Sequence, residues 1–117
     1  MGCPYDAKLV YGIKLTSAEA KSLNKKFDKL SETVDDWEKE VGDFDSDTSS
    51  DEDGKQHYLE LVDIESVSNC GFMTPISESA LSNAAKKVNK IYNGSPFLKK
   101  EFSIDQIQLL LICRYCG

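Results

Sequence analysis

Three segments of the chain have the residue pattern of β-strands, either an alternation of apolar and polar residues with a period of two or, in the last of them, a continuous apolar run. These segments are Ala7 to Leu15, His57 to Ile64 and Ile104 to Tyr115. A shorter segment, Ser66 to Met73, is predicted to form a further strand that Gly71 interrupts. The segment that ends at Tyr115 is the most apolar and carries hydrophobic residues on both faces. We therefore expect four strands.

Two further segments have the three- and four-residue apolar spacing of amphipathic helices. In the first, Thr16 and Glu19 form a capping box at the start, and Gly42 ends the helix. The second is predicted to begin with Thr74-Pro75 and to stop at Asn93-Gly94, before a loop that contains Pro96. The apolar stripe of the first helix consists of Leu23, Phe27, Leu30, Val34, Trp37 and Val41, and that of the second of Leu81, Ala84, Ala85, Val88 and Ile91.

The predicted order is strand, helix, strand, strand, helix, strand, which is the order of the ferredoxin-like plait. We therefore expect an α+β fold with two helices on one face of a four-stranded antiparallel sheet. The 117 residues are expected to form a single domain, 1–117. The plait places the last strand at an edge, where residues that are apolar on both faces are unexpected. Either that strand pairs with another chain, or it is central and the topology differs.

The charge of the chain is concentrated in one stretch. Residues 35–53 hold ten of the twenty acidic residues and one basic residue, so they carry −9 and leave +3 for the rest of a chain of net charge −6. A block of like charges usually stays in solvent or meets a basic partner. We interpret residues 43–54 as a flexible acidic arm after the first helix. Its predicted partner-binding residues, for a basic protein surface, are Asp43, Asp45, Asp47, Asp51, Glu52 and Asp53.

The arm also has the pattern of a phosphorylation site. Thr48, Ser49 and Ser50 each have an acidic residue three positions later, which is similar to the substrates of acidophilic kinases such as casein kinase 2. Each phosphate would add a charge of about −1.5 to −2 to the arm. A calcium loop that starts at Asp43 would need glycine at position six and glutamate at position twelve, which here are Thr48 and Gly54. The remaining alternative is a loop that only keeps the protein in solution.

Lysines suggest a second function. The first helix has bases in its first half and acids after them, against the helix dipole, and natural sequences tend to break local rules at functional sites. The alternative interpretation is that the charged residues of the first helix simply face solvent and have no functional role. In the plait, the lysines would gather at the pole opposite the arm and bind nucleic acid or phosphate. They are Lys21, Lys25, Lys86, Lys87, Lys90, Lys99 and Lys100.

The cysteines and the single histidine are the residues with the most obvious site chemistry. Cys113 and Cys116 form a CxxC pair at the end of a strand, whereas redox enzymes place this pair at a helix N-terminus. Together with Cys3 they form the alternative zinc ligand set. Free thiols are the preferred interpretation, so no metal or cofactor is predicted. No catalytic motif is present, and we predict a non-enzyme; a pocket that holds His57 with a cysteine would argue against this.

The expected location is cytoplasmic or nuclear. No apolar run reaches the roughly 18 residues of a membrane span, and no secretory signal is visible at Met1. We therefore expect no membrane association. Altogether the sequence favours a small protein-interaction module that uses its acidic arm, with phosphorylation of Thr48, Ser49 or Ser50 as a candidate way to adjust binding. The alternatives are the lysine-based nucleic-acid binder and a self-assembling structural subunit, of viral type, that forms a homo-oligomer through the C-terminal strand.

Overall fold

The fold combines four strands and four helices in the residues that the computed structural model describes, which are 5–42, 44, 48–50, 56–67 and 75–115. The strands form one antiparallel sheet, and the α+β prediction is confirmed. The elements in chain order are β1 (Tyr5–Leu15), α1 (Ser17–Thr33), α2 (Trp37–Val41), β2 (Thr48–Ser50), β3 (His57–Val67), α3 (Glu78–Asn93), α4 (Pro96–Glu101) and β4 (Ile107–Tyr115).

The strand order in the sheet is β2-β3-β1-β4, which places β2 and β4 at the two edges. The finer assignment to a ferredoxin-like plait stays a prediction. The short strand β2 lies inside the segment that the sequence assigned to the arm. Of the predicted strand Ser66 to Met73, only Ser66 and Val67 lie among the described residues, and they continue β3.

The first helix is shorter than predicted, because the chain leaves the helical conformation at Val34 (φ −122°, ψ 118°). Asp28, Glu32 and Asp36 follow one another at four-residue spacing, which is repulsive in a helix. In addition, the last turn of α1 has no basic residue to interact with the exposed carbonyls. Residues 34–36 therefore separate α1 from α2. The predicted stop at Gly42 is confirmed, with φ of 105°.

The second predicted helix starts later than Pro75. Ser77 is its N-cap and accepts a hydrogen bond from the backbone N–H of Ala80, so α3 begins at Glu78. The predicted loop around Pro96 is the short helix α4. Its N-cap, Ser95, is fully buried and accepts a hydrogen bond from the N–H of Leu98. No helix within the described ranges is long and apolar enough to span a bilayer.

The core lies between the sheet and its helices. Helices α1 and α3 pack on one face of β1 and β3. The buried residues of this core include Ile13, Leu15, Ala20, Leu23, Phe27, Val41, Leu59, Leu61, Val62, Ala84, Val88, Phe97 and Leu98.

The central pairing of β1 with β3 is irregular. Its register shifts twice, between Leu9 and Val10 and between Tyr11 and Gly12. A Cβ atom at Gly12 would fall on the carbonyl oxygen of Leu59 in β3, so this position requires glycine. The sheet that carries both edges therefore depends on a close backbone approach at one residue.

Candidate interaction surfaces at the two edges of the sheet

The β4 edge is a long and regular strand. Its nine residues pair with β1 from Ile13 opposite Ile107 to Tyr5 opposite Tyr115, with no shift in register. The other side of β4 has no neighbouring strand in the sheet of described residues. A strand in this position presents a row of backbone N–H and C=O groups that can pair with another strand.

Two leucines of β4 are exposed on the helix side of the sheet. Leu109 stands opposite Tyr11 and Leu111 opposite Leu9, on the same face as the core residue Ile13. The helices pack on β1 and β3 and leave these leucines 47% and 69% exposed. The sequence analysis predicted that the last strand would be unusually apolar for an edge, and the structure places it at an edge. Within the described sheet the last strand is therefore not central, and its apolar side chains are left exposed.

The β2 edge is short, and a residue of α1 is hydrogen-bonded to it. Thr48 to Ser50 pair with His57 to Leu59 in β3. The amide of Asn24, in the middle of α1, donates a hydrogen bond of 2.9 Å to the Thr48 hydroxyl and accepts one of 3.4 Å from the Thr48 backbone N–H. These contacts attach the centre of the acidic arm to the folded body.

The arm has a second attachment at Phe44. This residue packs against the core, and its ring lies edge-on to that of Phe27 at a centroid distance of 6.4 Å. Phe27 also stacks on Phe97 of α4 at 4.9 Å. Sequence reasoning missed both Asn24 and Phe44. The signal at Phe44 was a large apolar residue between two aspartates, whereas nothing in the sequence marks Asn24.

The predicted arm residues differ in what the structure describes. Thr48 is half-buried and hydrogen-bonded, Ser49 is exposed, and Ser50 is half-buried opposite His57. The acidic residues predicted to bind a partner lie outside the described residues, and they are Asp43, Asp45, Asp47, Asp51, Glu52 and Asp53. Their sequence positions put three of them before β2 and three after it.

The predicted nucleic-acid-binding lysines are all exposed, but they lie on three helices. Lys87 and Lys90 line a hollow between α3 and β3 that Asp63 also lines. Lys100 lines another, between α1 and α4, together with Glu40 and Glu101. Each of these hollows therefore combines lysines with carboxylates. The other members of the set are Lys21 and Lys25 on α1, Lys86 on α3 and Lys99 on α4.

The face of the sheet away from the helices carries a smaller apolar group and an ion pair. Val10 and Tyr58 are buried but do not belong to the main core. Lys8 lies 2.6 Å from the Glu60 carboxylate and 3.8 Å from that of Asp63. The hydrogen bond to Glu60, opposed in part by burial, raises the pKa of Lys8 above its ordinary value. The ammonium group therefore stays protonated across the physiological range.

His57 and Cys113 line one open hollow of about 360 Å³ that Lys14, Tyr58 and Ile112 also line. This is the arrangement that the sequence analysis named as an argument for an enzyme. Activation of a thiol needs a hydrogen bond between the nucleophile and its base, and a shared wall of an open hollow does not establish one. The non-enzymatic interpretation remains a prediction.

The zinc alternative also remains a prediction. Cys113 is an exposed free thiol, while Cys3 and Cys116 lie outside the described residues. Within the part of the chain that the structure describes, no group of three or more His, Cys, Asp or Glu side chains is arranged to hold a metal ion.

Comparison with protein-family models, with curated proteins and with solved structures finds no match to this chain.

Proposed function

We propose that this chain is a small non-enzymatic protein-interaction module, built as a variant of the ferredoxin-like plait, whose acidic arm binds a basic surface of a partner protein. The observation that carries the proposal is the double attachment of the arm. Phe44 is anchored on Phe27, and Thr48 is anchored on Asn24. A segment that only kept the protein in solution would need neither contact.

The attachment supports binding because it lowers the entropic cost of ordering the arm. A free acidic tail loses much conformational freedom when it meets a partner, and this loss weakens its affinity. Because Phe44 and Thr48–Ser50 are already held on the folded body, these parts of the arm have less conformational freedom to lose when a partner binds. Clustered carboxylates also speed the approach of a basic surface, in a salt-dependent manner.

Nucleic-acid binding through the lysines receives less support. Carboxylates line the hollows that contain Lys87, Lys90 and Lys100, and they reduce the positive potential that phosphates need. A labelled single-stranded oligonucleotide, added to the wild type and to a variant with a neutralised arm, would distinguish this alternative. Binding that weakens steeply with added salt and survives neutralisation of the arm would favour that alternative.

The test compares two variants of equal net charge. In the arm variant, the six predicted acidic residues of the arm become their amides. In the control variant the same number of exposed acidic residues outside the arm are replaced by amides, namely Asp28, Glu32, Asp35, Glu38, Glu40 and Asp105. Each variant raises the net charge of the chain from −6 to zero. Any difference between them therefore reports the location of the charge.

The probe is a fluorescently labelled peptide of lysine and arginine, and its anisotropy is followed from 50 to 300 mM salt. We expect the arm variant to bind at least about 10-fold more weakly than the wild type, and the control to stay within about threefold. Treatment with an acidophilic kinase should strengthen binding by the wild type and by the control variant, but not by the arm variant, which lacks the acidic residues after Thr48, Ser49 and Ser50. Equal losses in both variants, or no binding by the wild type at low salt, would contradict the proposal.

A further inference from the structure

The β4 edge lacks the devices that proteins use to prevent strand pairing. Such devices are charged residues, proline, bulges and short strands. In contrast, Ile107–Tyr115 contains no proline, pairs with β1 without a bulge, and has a single charged residue, Arg114, near its end. Two of its leucines are exposed. An edge of this kind needs a partner strand or exposes the protein to aggregation.

We propose that β4 pairs antiparallel with β4 of a second copy of this chain, around a two-fold axis at Leu111. This homodimer is separate from the arm, so it goes beyond the function proposed above and can fail independently of it. The two four-stranded sheets would join into one continuous sheet of eight strands.

The register of this pairing follows from strand geometry. Facing residues of an antiparallel pair share a face of the sheet, and their outward backbone groups must coincide. Residues of the same parity must therefore face each other, so the axis passes through a residue. Leu111 is the centre of Ile107–Tyr115, and an axis there pairs all nine residues. This pairing would form about eight to ten backbone hydrogen bonds.

The side chains fit this register. Leu111 would face Leu111 of the second copy, and Leu109 would face Cys113, which together would cover the exposed apolar residues of the helix side. Leu110 would face Ile112 on the other side of the sheet. The one charged position, Arg114, would stand opposite the neutral Gln108, so no like charges meet. Self-complementarity of this kind favours a second copy over an unrelated strand.

Electrostatic repulsion between the acidic arms of the two copies does not oppose the dimer. The acidic arm adjoins β2, which is at the opposite edge of the sheet from β4. Along the sheet, seven inter-strand steps would separate the two β2 strands, a path of roughly 30 Å. The arms would therefore lie several strands away from the new pairing, and physiological salt screens charges over about 8 Å. Because the short β2 edge offers no equivalent strand, the pairing closes as a dimer and does not continue as a filament.

The first experiment is sedimentation velocity of the full chain over a wide concentration range. We expect a species of twice the 13.1 kDa chain mass. Leu111→Lys should weaken the dimer by at least about 100-fold, because two lysines would meet at the axis. Leu111 is 69% exposed, so the fold should tolerate the change. Val34→Lys, at a 39% exposed apolar position far from β4 in sequence, is the control and should leave the dimer unchanged.

The second experiment tests the register with disulfides. In a chain in which Cys3, Cys70 and Cys116 are replaced by serine, Leu109→Cys should form a covalent dimer through Cys113 of the second copy. The same variant with Cys113→Ser should lose this cross-link. Leu111→Cys should cross-link across the axis whether or not Cys113 is present, whereas Ser49→Cys on the β2 edge should not cross-link.

Three outcomes would overturn the proposal. The first is a chain that stays monomeric at every concentration, and the second is a dimer that Leu111→Lys leaves intact. The third is covalent dimerisation of Ser49→Cys in preference to Leu109→Cys. A monomer whose binding to a different protein is lost in Leu111→Lys would assign the edge to a foreign strand and would also reject the second copy.

Discussion

The two edges of the sheet differ in nearly every property that controls strand pairing. The β2 edge has three residues, is hydrogen-bonded to α1 through Asn24, and lies within a run of acidic residues. The β4 edge has nine residues, a single charge and two leucines that are 47% and 69% exposed. Edge protection is usually found where pairing must be prevented. The contrast indicates that β2 is closed to strand pairing and that β4 remains open to it.

If both proposals hold, one small domain combines two kinds of recognition. The acidic residues of the arm flank β2 in the sequence, and such charge can attract a basic surface at long range. Apolar surface and free backbone groups are concentrated at the β4 edge, where they act only on contact. A domain with this asymmetry can bind two partners without competition between them.

The largest effect is expected from Gly12→Ala, because its Cβ would fall on the carbonyl oxygen of Leu59 and separate β1 from β3. Overpacking of this kind costs about 1–3 kcal/mol or more of the free energy of unfolding. Urea denaturation measures the loss, and hydrogen exchange should show faster exchange in β2 and β4 alike. Gly94→Ala is the milder control, since Gly94 has φ of −88° and an added Cβ would lie 3.1 Å from the Lys90 carbonyl oxygen, which is a tight contact but not an overlap. An equal loss in both variants would refute the special role of Gly12.

Sequence patterns predicted the elements whose causes are local. The capping box of Thr16 and Glu19, the stops at Gly42 and Gly94, and the strand after Ala7 depend on neighbouring residues. A local signal is also present for α4. Ser95 followed by Pro96 is the typical start of a helix, an N-cap with proline in the first turn, although the prediction for this segment is a loop.

Other features could not be predicted because they depend on contacts between distant segments. Asn24 is one polar residue among many on α1, and only the fold brings it to Thr48, 24 positions away. The helix break at Val34 was hidden because the apolar stripe continues into α2 with unchanged spacing. The acidic residues of the arm were found from composition alone, and their function rests on that signal and on the attachments beside them.

The second-largest loss of stability is expected from Asn24→Ala, and it should be confined to the β2 edge. Asn24→Ala removes both hydrogen bonds to Thr48 and should lower the free energy of local opening of β2 by about 1 kcal/mol. Hydrogen exchange should therefore accelerate in β2 and in the facing part of β3, while exchange in β4 stays unchanged. Asn89→Ala, at an exposed position of α3, is the matched control. Faster exchange in β4 would show that the two edges are not independent.

Phosphorylation should distinguish neighbouring hydroxyls of the same strand. Ser49 is exposed, whereas the Thr48 hydroxyl is hydrogen-bonded to Asn24. We expect an acidophilic kinase to modify Ser49 about five- to tenfold faster than Thr48, because a hydrogen bond of about 1 kcal/mol must open first. Asn24→Ala should remove most of this difference, which mass spectrometry of time points can measure. Equal initial rates in the wild type would contradict a closed β2 edge.

The smallest change in stability should come from a substitution at the start of α1. This helix also carries Asn24, which is hydrogen-bonded to Thr48 of β2. Hydrogen bonds from the backbone N–H and the hydroxyl of Thr16 lower the pKa of Glu19 below its ordinary 4.5. The charged form is therefore the one that stabilises the fold. Its contribution is complete above the ordinary pKa and is lost as the pH falls through the lower pKa of the folded state.

Glu19→Gln keeps a hydrogen-bonding side chain but removes this titration. At neutral pH the variant should be slightly less stable than the wild type, and the difference should disappear as the pH falls through the lowered pKa of Glu19. Glu32→Gln, in the last turn of α1 where negative charge is unfavourable, should not destabilise the protein. In hydrogen exchange the Glu19→Gln effect should reach β2 through α1 and leave β4 unaffected. Equal changes at both edges would show that α1 supports the whole sheet, and the functional contrast would then rest on charge and exposed apolar surface alone.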